Sequence, residues 1–264
     1  MSSFFSPIQT HFGYAGLIPP TPLQIFGSAL KGWYAAWDPT TLFTDTARTT
    51  PVSADGNAVA GWADKSGNGN HLQQATAGSR PLYKTSVKNG RSVLRFDGTD
   101  DFINGVANFA YTQANQLTLG ALAVANAYSA GVQSVCGERA NGTPAATTGC
   151  LQRTASGTFS YTTYDGTSAN VTDSQAGTDT AWNSLIGSTL GAFSLISYVD
   201  GVGVSSILNS APATGAQPFV IGSRATTAAD VWSGDIMEVI CVNTSITASQ
   251  LGALYAWHQY LRGS

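Results

Sequence analysis

The sequence predicts an all-β fold: a two-sheet antiparallel jelly-roll sandwich with an extended N-terminal arm and one C-terminal helix. Three observations carry that expectation. From residue 31 onward, short apolar runs alternate with stretches rich in Gly, Ser, Thr and Pro, the pattern of many strands joined by turns. Helical periodicity is confined to the C-terminal end. Only 10% of the 264 residues are charged, whereas 43% are hydrophobic, including 6 Trp, 10 Tyr and 11 Phe. That is ample apolar material for a packed core, so intrinsic disorder is excluded.

The chain divides at about residue 30. Residues 1–30 read as an extended arm, because Phe4, Phe5, Phe12, Tyr14 and Phe26 are interspersed with Pro7, Pro19, Pro20 and Pro22 without helical or strand period. Such a segment cannot build a core of its own. It is expected either to dock on another chain, with those five aromatics at an assembly interface, or to fold back on its own domain.

Residues 31–264 form the predicted sandwich. Gly32 to Trp37 reads as a strand closed by Asp38-Pro39. Ser66-Gly-Asn-Gly-Asn70, between Trp62 and Leu72, is a tight turn built from residues that tolerate positive φ or cap their own backbone. Val93 to Phe102 alternates like a strand and breaks at Asp97-Gly98. Leu117 to Ala127 lacks charge on both faces and is expected as a central strand buried on both sides. Val132 to Glu138, Cys150 to Thr154, Thr158 to Tyr164 and Trp182 to Ser188 are shorter strands. Asp200-Gly201 lies between Phe193–Val199 and Val202–Ser206, the clearest hairpin in the chain. Phe219 to Gly222 and Trp232 to Val242 supply the last strands. Thr247 and Gln250 then have capping-box spacing, and Leu251, Leu254, Tyr255, His258 and Leu261 recur at helical spacing until Gly263. This helix should lie on the outside of a sheet.

Charge and cysteine content exclude several classes. The net charge is −3 and the twelve basic residues are scattered, so no phosphate-binding patch and no nucleic-acid partner is expected. No apolar run reaches the ~20 residues that span a bilayer, and the N-terminus has no basic segment followed by an apolar one. Neither membrane insertion nor a secretion signal is expected. Cys136, Cys150 and Cys241 match no zinc-ligand spacing. Cys241 reads as a reduced core residue, and a Cys136–Cys150 bridge is left open.

Taken in order, Trp62, Asp64, Ser66-Gly-Asn-Gly-Asn70 and Leu72, then Phe96-Asp-Gly98 and Asp101, Tyr198-Val-Asp-Gly-Val202, Ile221-Gly222, and Gly234-Asp-Ile-Met-Glu-Val-Ile240 before a closing helix, resemble laminin-G-like domains. These belong to the concanavalin A-like lectin/glucanase superfamily. The resemblance covers roughly residues 31–262. It implies a module of the kind found in bacteriophage virion proteins, bacterial surface proteins and glycan-binding appendages.

The carboxylates decide whether a catalytic role is expected. Retaining glycosidases on this fold place two carboxyl groups ~5 Å apart. The chain has two glutamates. Glu138 has no acidic neighbour nearby, and Asp235 and Glu238 differ in parity, which on a regular strand puts them on opposite faces. His11, His71 and His258 belong to no nucleophile motif. The chain is therefore expected not to be an enzyme, and Glu238 to be a partly buried, hydrogen-bonded structural residue.

Binding sites are the remaining class. Asp97, Asp100 and Asp101 could supply hard oxygen ligands for Ca²⁺ at a sandwich rim, or form a plain turn with Asx hydrogen bonds. No other cofactor is expected. Tyr161, Tyr164 and Trp182 lie near the Ser/Thr/Asn-rich middle and could form an aromatic platform for a glycan, or belong to the core. The expected function is that of a tailed-phage structural protein, a capsid decoration, head-fibre or tail-associated protein. It would be located in the virion, partnered with other virion proteins through the arm and homo-oligomeric. The alternative is a carbohydrate-binding adhesin module, and a glycan hydrolase ranks behind both.

Overall fold

The computed structural model describes residues 18–105, 116–126, 131–139, 147–164, 169–173, 181–190, 194–207 and 218–264. In chain order these form α1 (Pro22–Phe26), β1 (Leu30–Ala35), β2 (Leu42–Phe43), β3 (Gly61–Trp62), β4 (Leu72–Gln73), β5 (Leu82–Lys88), β6 (Arg91–Asp97), β7 (Ile103–Gly105) and β8 (Thr118–Ala125). There follow β9 (Gln133–Arg139), β10 (Thr147–Arg153), β11 (Phe159–Tyr164), β12 (Ala169–Asp173), β13 (Asn183–Thr189), β14 (Ser194–Val199), β15 (Val202–Ile207), β16 (Phe219–Ile221), β17 (Ser233–Val242) and α2 (Ala248–Arg262).

The strands make two antiparallel sheets, as the sequence predicts. The first has the order β15-β14-β13-β8-β17-β6-β5, with β1 also pairing with β17. The second has the order β12-β11-β10-β9-β16-β7-β4-β3-β2. β8 is central and buried, as its uncharged faces require, and it lies between β13 and β17. β17 is long enough to pair with β6 through Ser233–Ile236 and with β1 through Glu238–Val242.

Two apolar clusters hold the layers. The inner one, between the sheets, contains Tyr34, Trp62, Phe96, Leu119, Tyr161, Phe219 and Trp232. The outer one lies between the first sheet and α2 and contains Trp33, Leu122, Ile186, Met237, Ile240, Leu251, Leu254, Trp257 and Leu261. The strands of the first sheet that lie beneath the helix, β1, β8, β13 and β17, thus bury both of their faces, and α2 contributes the third layer. The predicted capping box at Thr247 and Gln250 is present, and Gly263 caps the far end in the left-handed conformation. Among the described residues, no helix is long and apolar enough to cross a membrane.

The chain just before β1 departs from expectation. Residues 22–30 were expected in an extended arm, yet they belong to the folded unit. Thr21 and Gln24 form a capping box, and Pro22 opens α1 where its missing N–H costs no hydrogen bond. Phe26, expected at an assembly interface, is buried in the outer cluster. Phe4, Phe5, Phe12 and Tyr14 lie outside the described residues. Cys136, Cys150 and Cys241 are buried thiols, and no 136–150 disulfide is present.

Candidate functional site

The turn between β3 and β4 is architectural. Asp64 Oδ1 accepts the N–H groups of Trp33 at 2.9 Å and Ser66 at 2.8 Å, while Oδ2 accepts the N–H of Asn70 at 3.0 Å and the Ser66 hydroxyl at 2.7 Å. Asn68 and Asn70 donate to the carbonyls of Leu30 and Lys31, each at 2.8 Å. Gly67 and Gly69, at φ 88° and 76°, let the chain curl around that carboxylate. The loop is a clasp on β1. His71 Nδ1 accepts the Asp64 N–H at 3.0 Å, and burial, aided by nearby Arg48, lowers the pKa of its imidazole.

Glu238 is 0% exposed, deeper than expected. Its Oε1 accepts the indole N–H groups of Trp33 at 2.8 Å and Trp37 at 3.1 Å, and its Oε2 that of Trp257 at 2.8 Å. Three tryptophans from two separate segments thus solvate one buried carboxylate. A register shift between Ile236 and Glu238 places the carboxylate there. The bulge turns Met237 and Glu238 toward α2 together, so Asp235 and Glu238 share a face, contrary to the parity expected of a regular strand. Asp235 is engaged separately, receiving two hydrogen bonds from Arg95 at 2.7 and 2.9 Å.

His258 completes a buried chain of polar groups. Its Nδ1 is 2.7 Å from Ser184 Oγ, and its Nε2 is 3.4 Å from Glu238 Oε2. The order hydroxyl, imidazole, carboxylate matches the parts of a hydrolytic triad. Ser184, His258 and Glu238 are each 0% exposed beneath α2, so no substrate carbonyl can approach the hydroxyl. The trio serves as the polar seam between helix and sheet.

The three aspartates proposed for calcium do converge. On the loop that carries the chain from β6 in one sheet to β7 in the other, Asp97, Asp100 and Asp101 offer one oxygen each within 4.8 Å of one another. Each carboxylate already accepts a hydrogen bond inside the fold. Asp101 takes the Asp97 N–H at 3.0 Å, Asp97 the N–H of Thr99 at 2.8 Å, and Asp100 the Ser79 hydroxyl at 2.9 Å. Burial, with the two neighbouring carboxylates, raises the pKa of the Asp101 carboxyl to about 6.

The expected glycan platform separates into three fates. Tyr161 is 0% exposed in the inner cluster, with its ring wedged against Gly187 and Gly149, so it presents no face to a sugar. Its strand position points inward, the core alternative weighed from sequence. The side chain of Tyr164 lies outside the described residues. Trp182 is half-buried on the outer face beside α2.

Around Trp182 the structure assembles a shelf that sequence alone does not reveal. Tyr198 on β14 points outward opposite Gly203 on the edge strand β15, and a Cβ at Gly203 would fall 2.4 Å from Tyr198 Cε1. The half-buried tyrosine ring therefore lies across β15. Arg262, at the end of α2, donates to the Trp182 carbonyl and to Asp200 Oδ1, each at 2.6 Å, and its guanidinium carbon lies 5.9 Å from the centre of the Tyr255 ring. Asp200 Oδ1 also accepts the Ser184 N–H at 3.1 Å, which fixes the β14–β15 turn against β13. Tyr198, Trp182 and Tyr255, each half-buried, thus flank an Asp–Arg pair on the outer side of the first sheet. The signal for it was the hairpin register, which places Gly203 beside Tyr198. Among the described residues, a small cavity bounded by Leu151, Phe159, Leu185 and Ser197 has a volume of about 10 Å³, room for one water.

Comparison with known proteins places the fold. No family model matches the chain, and no curated protein matches it in sequence, so the laminin-G-like resemblance rests on motif order alone. Among solved structures, the chain is similar to Trypanosoma rangeli sialidase in complex with sialic acid, with a TM-score of 0.61 at 15% identity over 95% of this chain and 37% of the sialidase. The same sialidase in complex with the inhibitor DANA gives 0.60 at 15% identity over 92% and 36%. The binding domain of Paraclostridial Mosquitocidal Protein 1 gives 0.54 at 12% identity over 74% and 49%. The chain spans little more than a third of the sialidases' length. These likenesses correct one expectation. The sandwich recurs within sialidase chains, so a missing pair of adjacent carboxylates is no ground for excluding an enzyme. At these identities the comparisons establish a β-sandwich fold compatible with the concanavalin A-like class.

Proposed function

We propose that this chain is a carbohydrate-binding β-sandwich module whose ligand rests on the Tyr198 shelf. The observation that carries the proposal is the half-buried tyrosine ring laid across Gly203, where the edge strand is exposed. A sugar ring has a C–H face that packs on an aromatic ring and hydroxyls that need fixed polar partners. Tyr198, Trp182 and Tyr255 supply the first kind of group. Asp200 and Arg262 supply an acceptor and a donor already held in place by the Ser184 N–H and the Trp182 carbonyl, so little side-chain entropy is lost on binding. The likeness to sialidases and to the binding domain of a mosquitocidal protein supports a glycan-facing role. It lends no support to the virion role expected from the sequence.

Hydrolysis of a glycan is a second reading, favoured by the sialidase likeness. The two readings separate in one experiment. The chain is applied to an array of sialylated and neutral glycans, and a fluorogenic sialoside is assayed in parallel. Binding on the array is the expected outcome, and the sialoside assay decides whether turnover accompanies it. A blank array contradicts the binding module, and turnover replaces it with the enzyme.

A further inference from the structure

The edges of the two sheets are protected very unequally. At one end of the first sheet, β5 carries Lys84 and Lys88, and its register with β6 shifts between them, with Ser86 at φ 53°. Its outer side is already engaged. Tyr83 exchanges backbone hydrogen bonds with Gly56 and Asn57 at 2.7 and 2.9 Å, and Leu82 forms a bridge with Ala58. The second sheet ends in the two-residue β2, bridged to Pro51, and in β12, which carries Asp173. Charges, bulges, shortness and proline are the devices by which natural edges avoid pairing with other chains.

β15 has none of them. Its sequence, Val202-Gly-Val-Ser-Ser-Ile207, contains no charge and no proline, and its register with β14 is regular throughout. Val202, Gly203, Ser205 and Ile207 are exposed, Ile207 at 87%. Among the described residues, no backbone group of residues 202–207 bonds to anything beyond β14. A six-residue uncharged edge with a free row of N–H and C=O groups is a template for one more strand.

We infer that β15 pairs antiparallel with β15 of a second copy of this chain, joining the two first sheets into one continuous sheet about a twofold axis. A second copy fits because antiparallel pairing makes a strand its own complement. An uncharged strand also meets no like charge when it faces itself. Closure follows from the other edge: β5 is blocked, so the assembly stops at two chains. The pairing sets the two β14 strands roughly 14 Å apart, three strand spacings, with both Tyr198 rings on the same side of the joined sheet. A dimer would present two shelves to one glycan-coated surface, where the second contact is intramolecular and the overall affinity rises.

The test is the mass of the full chain in solution, by sedimentation velocity and light scattering over a wide concentration range. The expected result is twice the chain mass for the wild type and for Ser205→Thr. Ser205→Lys, which brings two ammonium groups together across the axis, is expected to halve that mass with the circular-dichroism spectrum unchanged. Should Ser205→Lys fail to fold, Ser205→Glu, which brings two carboxylates together at the same position, takes its place. A monomeric wild type overturns the inference, as does a dimer that survives the charge at position 205. Capture of an extended foreign peptide along β15 by a monomeric chain overturns it too. The inference does not depend on glycan binding: a dimer with a blank array keeps it, and a monomer that binds glycan removes only the dimer.

Discussion

Trp257 on α2 donates its indole N–H to Oε2 of Glu238 on β17 at 2.8 Å, and this bond anchors the terminal helix to the sheet. Trp33 and Trp37 hold the other oxygen from β1 and the turn after it. The first expected outcome concerns that carboxylate. Glu238→Gln replaces one acceptor oxygen with an NH₂ group that faces an indole donor, leaving buried donors without partners. The cost should be about 2–4 kcal/mol in chemical denaturation. A loss below about 1 kcal/mol would mean that the tryptophans pack without needing the charge.

Asp101 and His71 give opposite pH dependences. The folded Asp101 carboxyl titrates at about 6 instead of 3.8, so between those values the folded state binds more protons than the unfolded one. Stability should therefore fall as pH rises through that window. Asp101→Asn keeps the acceptor for the Asp97 N–H and removes the charge, so it should stabilise the protein at neutral pH by ~1 kcal/mol after allowance for solvent screening. Thermal melts of both proteins across the window check this, and parallel curves would contradict it.

His71 acts in the other direction. Its folded pKa is depressed below 6.5, so its contribution to stability is present above that value and is lost as pH falls. His71→Gln should flatten the acid side of the melting profile below about pH 6.5. An unchanged acid limb would show that the imidazole titrates as freely in the fold as in the unfolded chain.

Gly203 should tolerate no larger residue without moving the Tyr198 ring. A Cβ there would lie 2.4 Å from Cε1 and 2.6 Å from Cδ1. The position is exposed, so the ring can swing away and the fold survives. Gly203→Val should leave the melting temperature nearly unchanged and weaken glycan binding about tenfold, a loss of ~1.4 kcal/mol. Equal binding by the variant would place the ligand elsewhere.

Much of the sandwich was legible because turns and alternation are local. Asp200-Gly201 announces its hairpin, and both residues adopt positive φ there, as a two-residue turn requires. Thr247 and Gln250 announce the start of α2 in the same way. Helix α1 carried an equally local signal, Thr21-Pro22 with Gln24, but at five residues it has no period to read. The Glu238 cage was hidden for a different reason. Parity counting assumes a regular strand, and the bulge at Met237–Glu238 reverses it without any glycine or proline to mark the place. Convergence in space was harder still. Trp33, Trp37 and Trp257 meet at one carboxylate from positions some two hundred residues apart, and Tyr198 acquires its place over Gly203 only through strand register. The three aspartates were close in sequence, so their clustering could be read directly, whereas Tyr161 could be placed in the core only once the face of β11 was known.

The most direct test of the glycan-binding account is the affinity of Tyr198→Ala, relative to wild type, for the glycan that the array selects. The substitution removes the ring from an outward-facing, half-buried position and leaves the Asp200–Arg262 pair intact. The account predicts a folded protein with affinity reduced at least about tenfold, measured by titration calorimetry. A folded Tyr198→Ala chain that binds the same glycan as tightly as wild type would contradict it.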